Sequence, residues 1–380
     1  MTPVPPSRVT LDSISIRDFR NIARADVALP PDGIALVGDN GQGKTNFLEA
    51  IAYLQLLRSM RGVRDRDLTR FGATAFHVAA ESSGTAVRRV GIGVDRSGKK
   101  RITLDGVETQ RLTDALGALP SVCFSPADIA LIAGAPAERR RYLDIALALS
   151  SKRYLAALRQ YRAALARRNA ALRQATRPGA RSSSVAAWEP ALAEHGATIV
   201  EERRAWVTEG GTEFARLCAD IGERAPMQIA YDSPLADAPD VRGALAEALQ
   251  RGSDHDARRM VTHAGPHRDD LAVTLGAREL RLVGSAGQQR TAALALRLLE
   301  AATFRPRGGA QPVLLLDDPF AELDRRRAAR VLALLEESSA SGVGQTILCV
   351  PREDEIPPSF TRLERWSVRD GAFTRFGEAA

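Results

Sequence analysis

Gly33-Ile-Ala-Leu-Val-Gly38-Asp-Asn-Gly-Gln-Gly-Lys44-Thr45 is the stretch on which the fold class turns. Its first half is a short unbroken apolar run, the pattern of a strand buried on both faces. Its second half has the spacing G-x-x-x-x-G-K-T. The residues beyond place Phe47, Leu48, Ile51 and Leu54 at helical intervals. Strand, glycine loop and helix, in that order, form the setting in which such a loop grips phosphate. Gly38, Gly41 and Gly43 let successive backbone N–H groups turn inward around phosphate oxygens. The helix opening near Lys44 adds its positive end. Lys44 is placed to neutralise the β- and γ-phosphates of ATP, and Thr45 to offer its hydroxyl to Mg²⁺. Only four of the 53 basic residues are lysine, so a lysine at this position is informative. The expected nucleotide contacts are Gly38, Asp39, Asn40, Gly41, Gln42, Gly43, Lys44, Thr45 and Asn46.

Far downstream, Pro312-Val-Leu-Leu-Leu-Asp317-Asp318 is an apolar strand ending in two carboxylates. A central strand would deliver Asp317 to the Mg²⁺ beside Thr45. Asp318 would then orient or deprotonate an attacking water, so Lys44 and Asp318 are the expected catalytic residues. Shortly before it, Gly284-Ser285-Ala-Gly287-Gln288-Gln-Arg290 opens a long helix. Ser285, Gly287 and Gln288 at a helix start make a second anion site. One γ-phosphate has no use for two such helix starts on the same chain. The second is therefore expected to close on the ATP of another copy, as in ABC-type dimers.

Outward from these motifs, residues 11–19 alternate as a strand does, and short strands with glycine turns fill residues 74–107. Residues 137–176 and 186–220 carry helical periodicity around a loop at 177–184. Strand patterns return at 227–233 and 270–275. Helices are expected at 286–302 and 326–337, and strands at 345–350, 365–368 and 373–375. The expected architecture is α/β: an ABC-type P-loop ATPase core assembled from both chain ends, residues 1–136 and 261–380, with an inserted all-helical arm at 137–260.

The composition, 44% hydrophobic and 26% charged over 380 residues, is that of a globular protein. No apolar run of about 18 residues is present, which excludes a transmembrane helix. The proline-rich residues 1–10 lack the apolar core of a signal peptide. Cys123, Cys218 and Cys349 lie far apart and oppose a disulfide framework or zinc ribbon. These readings predict a cytoplasmic protein. The net charge of +7 is uneven: residues 138–181 hold eleven arginines and Lys152 against Glu138 and Asp144, leaving the remainder mildly acidic. Arg153, Arg159, Arg162, Arg167, Arg168 and Arg173 are the expected phosphate contacts of a sequence-independent DNA surface. Tyr154 and Tyr161, seven apart, read as core. His263 and His267 flank Gly265-Pro266 and are not on one helix face, so a structural junction is expected there rather than a metal site.

Several segments together resemble the RecF family, bacterial recombination-repair ATPases related to SMC and Rad50 heads. They are Ile16-Arg-Asp-Phe-Arg-Asn21, Phe124-Ser-Pro-Ala-Asp-Ile129, Arg139-Arg-Arg-Tyr-Leu-Asp144, Arg168-Asn-Ala-Ala-Leu172, Gly265-Pro-His-Arg-Asp-Asp-Leu271, and Asp317-Asp318 with Glu322-Leu-Asp324. The resemblance implies an ATP-dependent homodimer that binds DNA at single-/double-strand junctions and works with RecO and RecR to load RecA. It also implies that Ser285 and Gly287 reach the partner's nucleotide and that Asp324 lies at the dimer seam. The chain departs from the family pattern at Gly284, where leucine is usual, which predicts a less firmly packed signature helix. It also lacks a polar switch residue in Leu348-Cys-Val-Pro351 and a lid-side glutamine near Cys123. The rival readings are an ABC-type ATPase subunit of another complex, for transport or SMC-like, and a small-molecule kinase.

Overall fold

The computed structural model describes residues 8–174, 183–304, 311–340, 344–357 and 360–377, with only the backbone at 336–340. The loop expected at 177–184 lies largely outside them. Three strands open the chain: β1 (Thr10–Phe19), β2 (Ile22–Ala28) and β3 (Gly33–Val37), followed by the helix Lys44–Leu56. Four more follow, β4 (Ala75–Ser83), β5 (Arg89–Asp95), β6 (Lys100–Leu104) and β7 (Val107–Thr109), then β8 (Ser121–Phe124). After the helical region come β9 (Met227–Asp232), β10 (Asp270–Leu275) and β11 (Arg278–Glu279). The chain ends with β12 (Val313–Asp317), β13 (Thr346–Val350), β14 (Glu364–Arg369) and β15 (Ala372–Arg375).

Two compact units result. One comprises Met1–Asp128, Asp220–Gly222 and Ala293–Ala380; the other comprises Ile129–Ala219 and Glu223–Ala292. The first holds two sheets. An antiparallel one has the order β2-β1-β4-β5-β6-β7, and a largely parallel one has the order β15-β14-β3-β13-β12-β8. Every residue of β3, β12 and β13 is buried, as their unbroken apolar sequences demand of parallel strands covered on both faces. The helix Lys44–Leu56 packs against strands of both sheets, and Phe47, Leu48, Ile51 and Leu54 are each fully buried. Because β3, β12 and β13 run parallel, their carboxyl ends emerge on one edge, where open α/β sheets bind ligands.

Gln345 joins the two sheets. Its side chain accepts from the Leu11 N–H at 2.8 Å and donates to the carbonyls of Leu11 and Pro30 at 2.9 and 2.8 Å.

The second unit is built on the helices Pro136–Ser150, Lys152–Gln174 and Glu189–Ile221, but it is not all-helical. A three-stranded antiparallel sheet, β11-β10-β9, belongs to it. The expected arm at 137–260 is thus too short at both ends, and the signature segment groups with this unit rather than with the core. The physical reason is visible at Gly265–Leu271. Arg203 donates to the Pro266 carbonyl at 2.8 Å, Arg139 grips Asp270 with two bonds of 2.7 Å, and Tyr231 donates to Asp269. Both ring nitrogens of His267 are engaged, Nδ1 with the Tyr161 hydroxyl at 2.7 Å and Nε2 with the Thr262 carbonyl at 2.9 Å. The Gly-Pro-His-Arg-Asp-Asp motif is therefore a polar brace. Among the described residues no cluster of three His, Cys, Asp or Glu side chains is arranged for a metal.

Tyr154 and Tyr161 are buried, as their spacing predicts. Of the six expected phosphate contacts, Arg153, Arg159, Arg162, Arg167 and Arg173 are exposed. Arg168 is a correction. It is fully buried, 2.7 Å from Asp256 and 3.4 Å from Glu189, and cannot meet a phosphate on the surface. Arg162 spends its charge on Asp144 at 2.7 Å, and the Arg167 guanidinium lies 5.0 Å from the Trp188 ring centre.

Candidate functional site

Gly41 and Gly43 adopt φ of 84° and 118°, left-handed values that glycine tolerates and that curl the loop after β3 back on itself. The loop is braced from outside. Asn21 donates to the Gly41 carbonyl at 3.3 Å and accepts from Asn46 at 2.8 Å. The turn between β14 and β15 clamps Gln42: the Asp370 N–H donates to its Oε1 at 2.7 Å, and the Gly371 N–H to its carbonyl at 2.8 Å. A Cβ on Gly38 would lie 2.5 Å from the Val368 carbonyl, so the first loop glycine is required by close approach to β14.

The loop encloses a cavity of about 460 Å³ lined by Asn40, Gly41, Gly43, Lys44, Thr45 and Asn46, together with Arg61, Pro126, Asp317, Asp318 and Pro351. Lys44 is buried, and its ammonium donates to the carbonyls of Gly38 and, at 2.9 Å, Asp39. Thr45 donates its hydroxyl to Asp317 Oδ1 at 3.0 Å, joining helix start and β12 carboxyl end. Burial pushes the Asp317 carboxyl above its ordinary range, a tendency opposed by the Thr45 hydroxyl, Arg61 and Lys44 and reinforced by Asp318. Asp318 itself has φ of 46°, a strained value for a residue with a side chain, and its N–H donates to the Cys349 carbonyl at 2.9 Å.

The structure therefore brings Asn40, Gly41, Gly43, Lys44, Thr45, Asn46, Asp317 and Asp318 around one cavity. Asp39 and Gln42 do not line it: the Asp39 carbonyl accepts from Lys44, and Gln42 is clamped from outside by the 370–371 turn. Arg61 and Asn21 are additions. Asn21 stands in a segment already singled out, but nothing in the sequence marks Arg61, which the chain's return after Leu56 carries to the cavity. Pro126 owes its place to the Phe-Ser-Pro-Ala-Asp turn: Asp128 accepts the Ser125 N–H at 2.7 Å and Arg297 at 2.6 Å. From the segment Leu348–Pro351, which lacks a polar switch residue, Pro351 lines the cavity with an apolar ring.

Ser285, Gly287 and Gln288 do not line this cavity and belong to the other compact unit. Ser285 caps the helix Ala286–Thr303 in a reciprocal box. Its hydroxyl accepts the Gln288 N–H at 3.3 Å while Gln288 Oε1 accepts the Ser285 N–H at 3.0 Å. Ser285 stays exposed, flanked by exposed Leu282 and Val283. Gly284 is explained as well: a Cβ there would lie 2.7 Å from the Leu280 carbonyl oxygen, so the tight turn into the signature excludes a larger residue. Asp324 is an N-cap, accepting the Arg327 N–H at 2.9 Å.

A phosphate loop at the end of β3, an acidic strand two places across the sheet, and an antiparallel second sheet define an ABC-type P-loop ATPase head. A family model described as RecF/RecN/SMC N terminal domain matches residues 10–356. The chain is 37% identical to the "DNA replication and repair protein RecF" of Roseiflexus castenholzii over 94% of this chain and 98% of that one. It is 39% identical to its counterpart in Anaeromyxobacter dehalogenans, over 85% and 88%. The solved structure "Structure of the recombination mediator protein RecF-ATP in RecFOR pathway" superposes with a TM-score of 0.88 at 27% identity, covering 99% of this chain and 100% of that one. A Pyrococcus furiosus Smc head shares the fold at 20% identity and a TM-score of 0.57, over 96% and 95%. The chain belongs to the RecF family. Among the described residues no helix is long and apolar enough to cross a membrane.

Proposed function

We propose that the chain is an ATP-switched DNA-binding protein of recombinational repair and replication restart, with slow ATP hydrolysis as its reset. The observation that carries the reading is the Thr45–Asp317 bond, which closes one cavity from residues 272 positions apart. In this reading the loop N–H groups from Asn40 to Thr45 hold the β- and γ-phosphates. Lys44 moves from the Gly38 and Asp39 carbonyls onto phosphate oxygens, and Arg61 supplies a second cation. Thr45 and Asp317 present the hard oxygen donors that suit Mg²⁺, whose charge would offset that of the triphosphate. Asp318 orients the attacking water; an aspartate reaches less far than a glutamate, in keeping with slow turnover.

The cavity supplies one wall of the site. Ser285, Gly287 and Gln288 of a second copy supply the other, through the exposed start of the helix Ala286–Thr303. ATP then favours the closed homodimer by differential affinity, and hydrolysis removes that preference. The names of the relatives, and the ATP named in the superposing RecF structure, support this reading. DNA at single-/double-strand junctions is the expected cargo, with RecO and RecR as partners in RecA loading.

The test measures DNA retention with and without ATP for wild type, Lys44→Ala and Ser285→Arg. Both variants are expected to lose the ATP-dependent part, and Ser285→Arg to bind nucleotide as a monomer. A Ser285→Arg protein that still dimerises on ATP refutes the shared site.

A further inference from the structure

Phe71 is 100% exposed, although burying such a ring gains about 1.5–3 kcal/mol. Its setting is rigid. The Ala73 N–H donates to the Arg70 carbonyl at 3.0 Å and Gly72 has φ of 85°, which makes Arg70–Ala73 a tight turn with Phe71 at its second position. The turn is fastened to the antiparallel sheet. The Arg70 N–H donates to the Asp18 carbonyl at 2.7 Å, Arg96 Nε donates to the Ala73 carbonyl at 2.8 Å, and Thr69 bridges Phe19.

The surroundings are cationic. Residues 58–71 contain five arginines against Asp65 and Asp67. Asp18 pairs with Arg70 at 3.5 Å and Asp67 with Arg66 at 3.6 Å, which leaves the stretch a net positive charge. Phe71 is also isolated, since among the described residues no other large apolar side chain between positions 58 and 100 is exposed. A protein partner would ask for a contiguous apolar patch. A single exposed ring carried on a fastened backbone turn, beside an arginine-rich stretch, suits a nucleobase with its phosphates.

We propose that Phe71 is a stacking platform for an unpaired base, with the surplus positive charge of residues 58–71 attracting the adjoining phosphates. This rests on the DNA-binding reading and deepens it. Phosphate contacts position nucleic acid without reading its bases, whereas a stacking ring rewards a base that is free to leave its pair.

The experiment compares wild type, Phe71→Ala and Phe71→Trp, with ATP and at fixed salt, on a blunt duplex and on the same duplex with an unpaired tail. A 2-aminopurine occupies the first unpaired position. Phe71→Ala is expected to bind the tailed DNA about tenfold more weakly, to lose the quenching of the 2-aminopurine, and to hold the blunt duplex with unchanged affinity and salt dependence. Phe71→Trp is expected to restore both losses. Tailed-DNA binding and quenching unchanged in Phe71→Ala would overturn the proposal and leave the ring to a protein contact. An equal loss on both DNAs would also overturn it. Wild type that binds neither DNA would sink the DNA-binding reading itself.

Discussion

Arg168→Ala separates a brace from a DNA contact. The guanidinium is wholly buried: one nitrogen donates to Asp256 at 2.7 Å and to the Thr262 hydroxyl at 2.8 Å, and the other to Glu189 at 3.4 Å. Truncation removes the guanidinium from beside two carboxylates that are nearly as buried as it is. Removing one member of a buried pair costs about 3–5 kcal/mol. Asp256 keeps the His263 N–H at 3.0 Å and the His263 ring at 2.9 Å, which argues for the lower end, about 3 kcal/mol. That is a large fraction of the 5–15 kcal/mol typical of a domain. Hydrogen exchange read by mass spectrometry is the suitable assay, because a chain of two compact units need not unfold in one step. Peptides from 152–174 and 253–262 should lose protection while those from 33–56 keep it. Arg168→Ala/Asp256→Asn, which also removes the charge of one of those carboxylates, should recover part of the loss. If Arg168→Ala keeps full protection and weakens DNA binding instead, the buried-brace reading fails.

Two further outcomes follow from the same unit. Burial holds the His267 imidazole below its ordinary value of 6.5. Below pH 6.5 the unfolded chain therefore takes up a proton that the native state resists, and stability falls as pH drops through that window, at up to about 1.4 kcal/mol per pH unit. Urea midpoints at pH 7.5 and 5.5 should show this fall in wild type and a smaller one in His267→Gln; equal falls would contradict it. Gly284→Leu would place a Cβ 2.6 Å from the Leu280 side chain and 2.7 Å from its carbonyl oxygen. The displaced turn should cost about 1–3 kcal/mol and weaken ATP-dependent dimerisation in sedimentation; a variant that dimerises like wild type would show that the signature tolerates the shift.

What the sequence discloses tracks how local the physics is. The loop at Gly38–Thr45, the strand into Asp317 and the Ser285–Gln288 box are each written in consecutive residues, because glycine conformations, apolar runs and helix caps act over a few positions. Arg61 is illegible for the opposite reason: only the return of the chain after Leu56 brings it to the phosphate cavity. Phe71 escapes periodicity altogether, since one exposed ring in a turn has no pattern to join. Arg168 is the instructive case. By charge it belongs with Arg167 and Arg173, yet it continues the seven-residue interval that marks Tyr154 and Tyr161 as core, and the helix does bury Tyr154, Tyr161, Arg168 and Leu172 on one face. Spacing states which face a residue occupies; charge states only what that face must then satisfy. When the two conflict in a long helix, spacing is the stronger predictor, provided that carboxylates such as Asp256 and Glu189 arrive from elsewhere in the chain to pair with the buried charge.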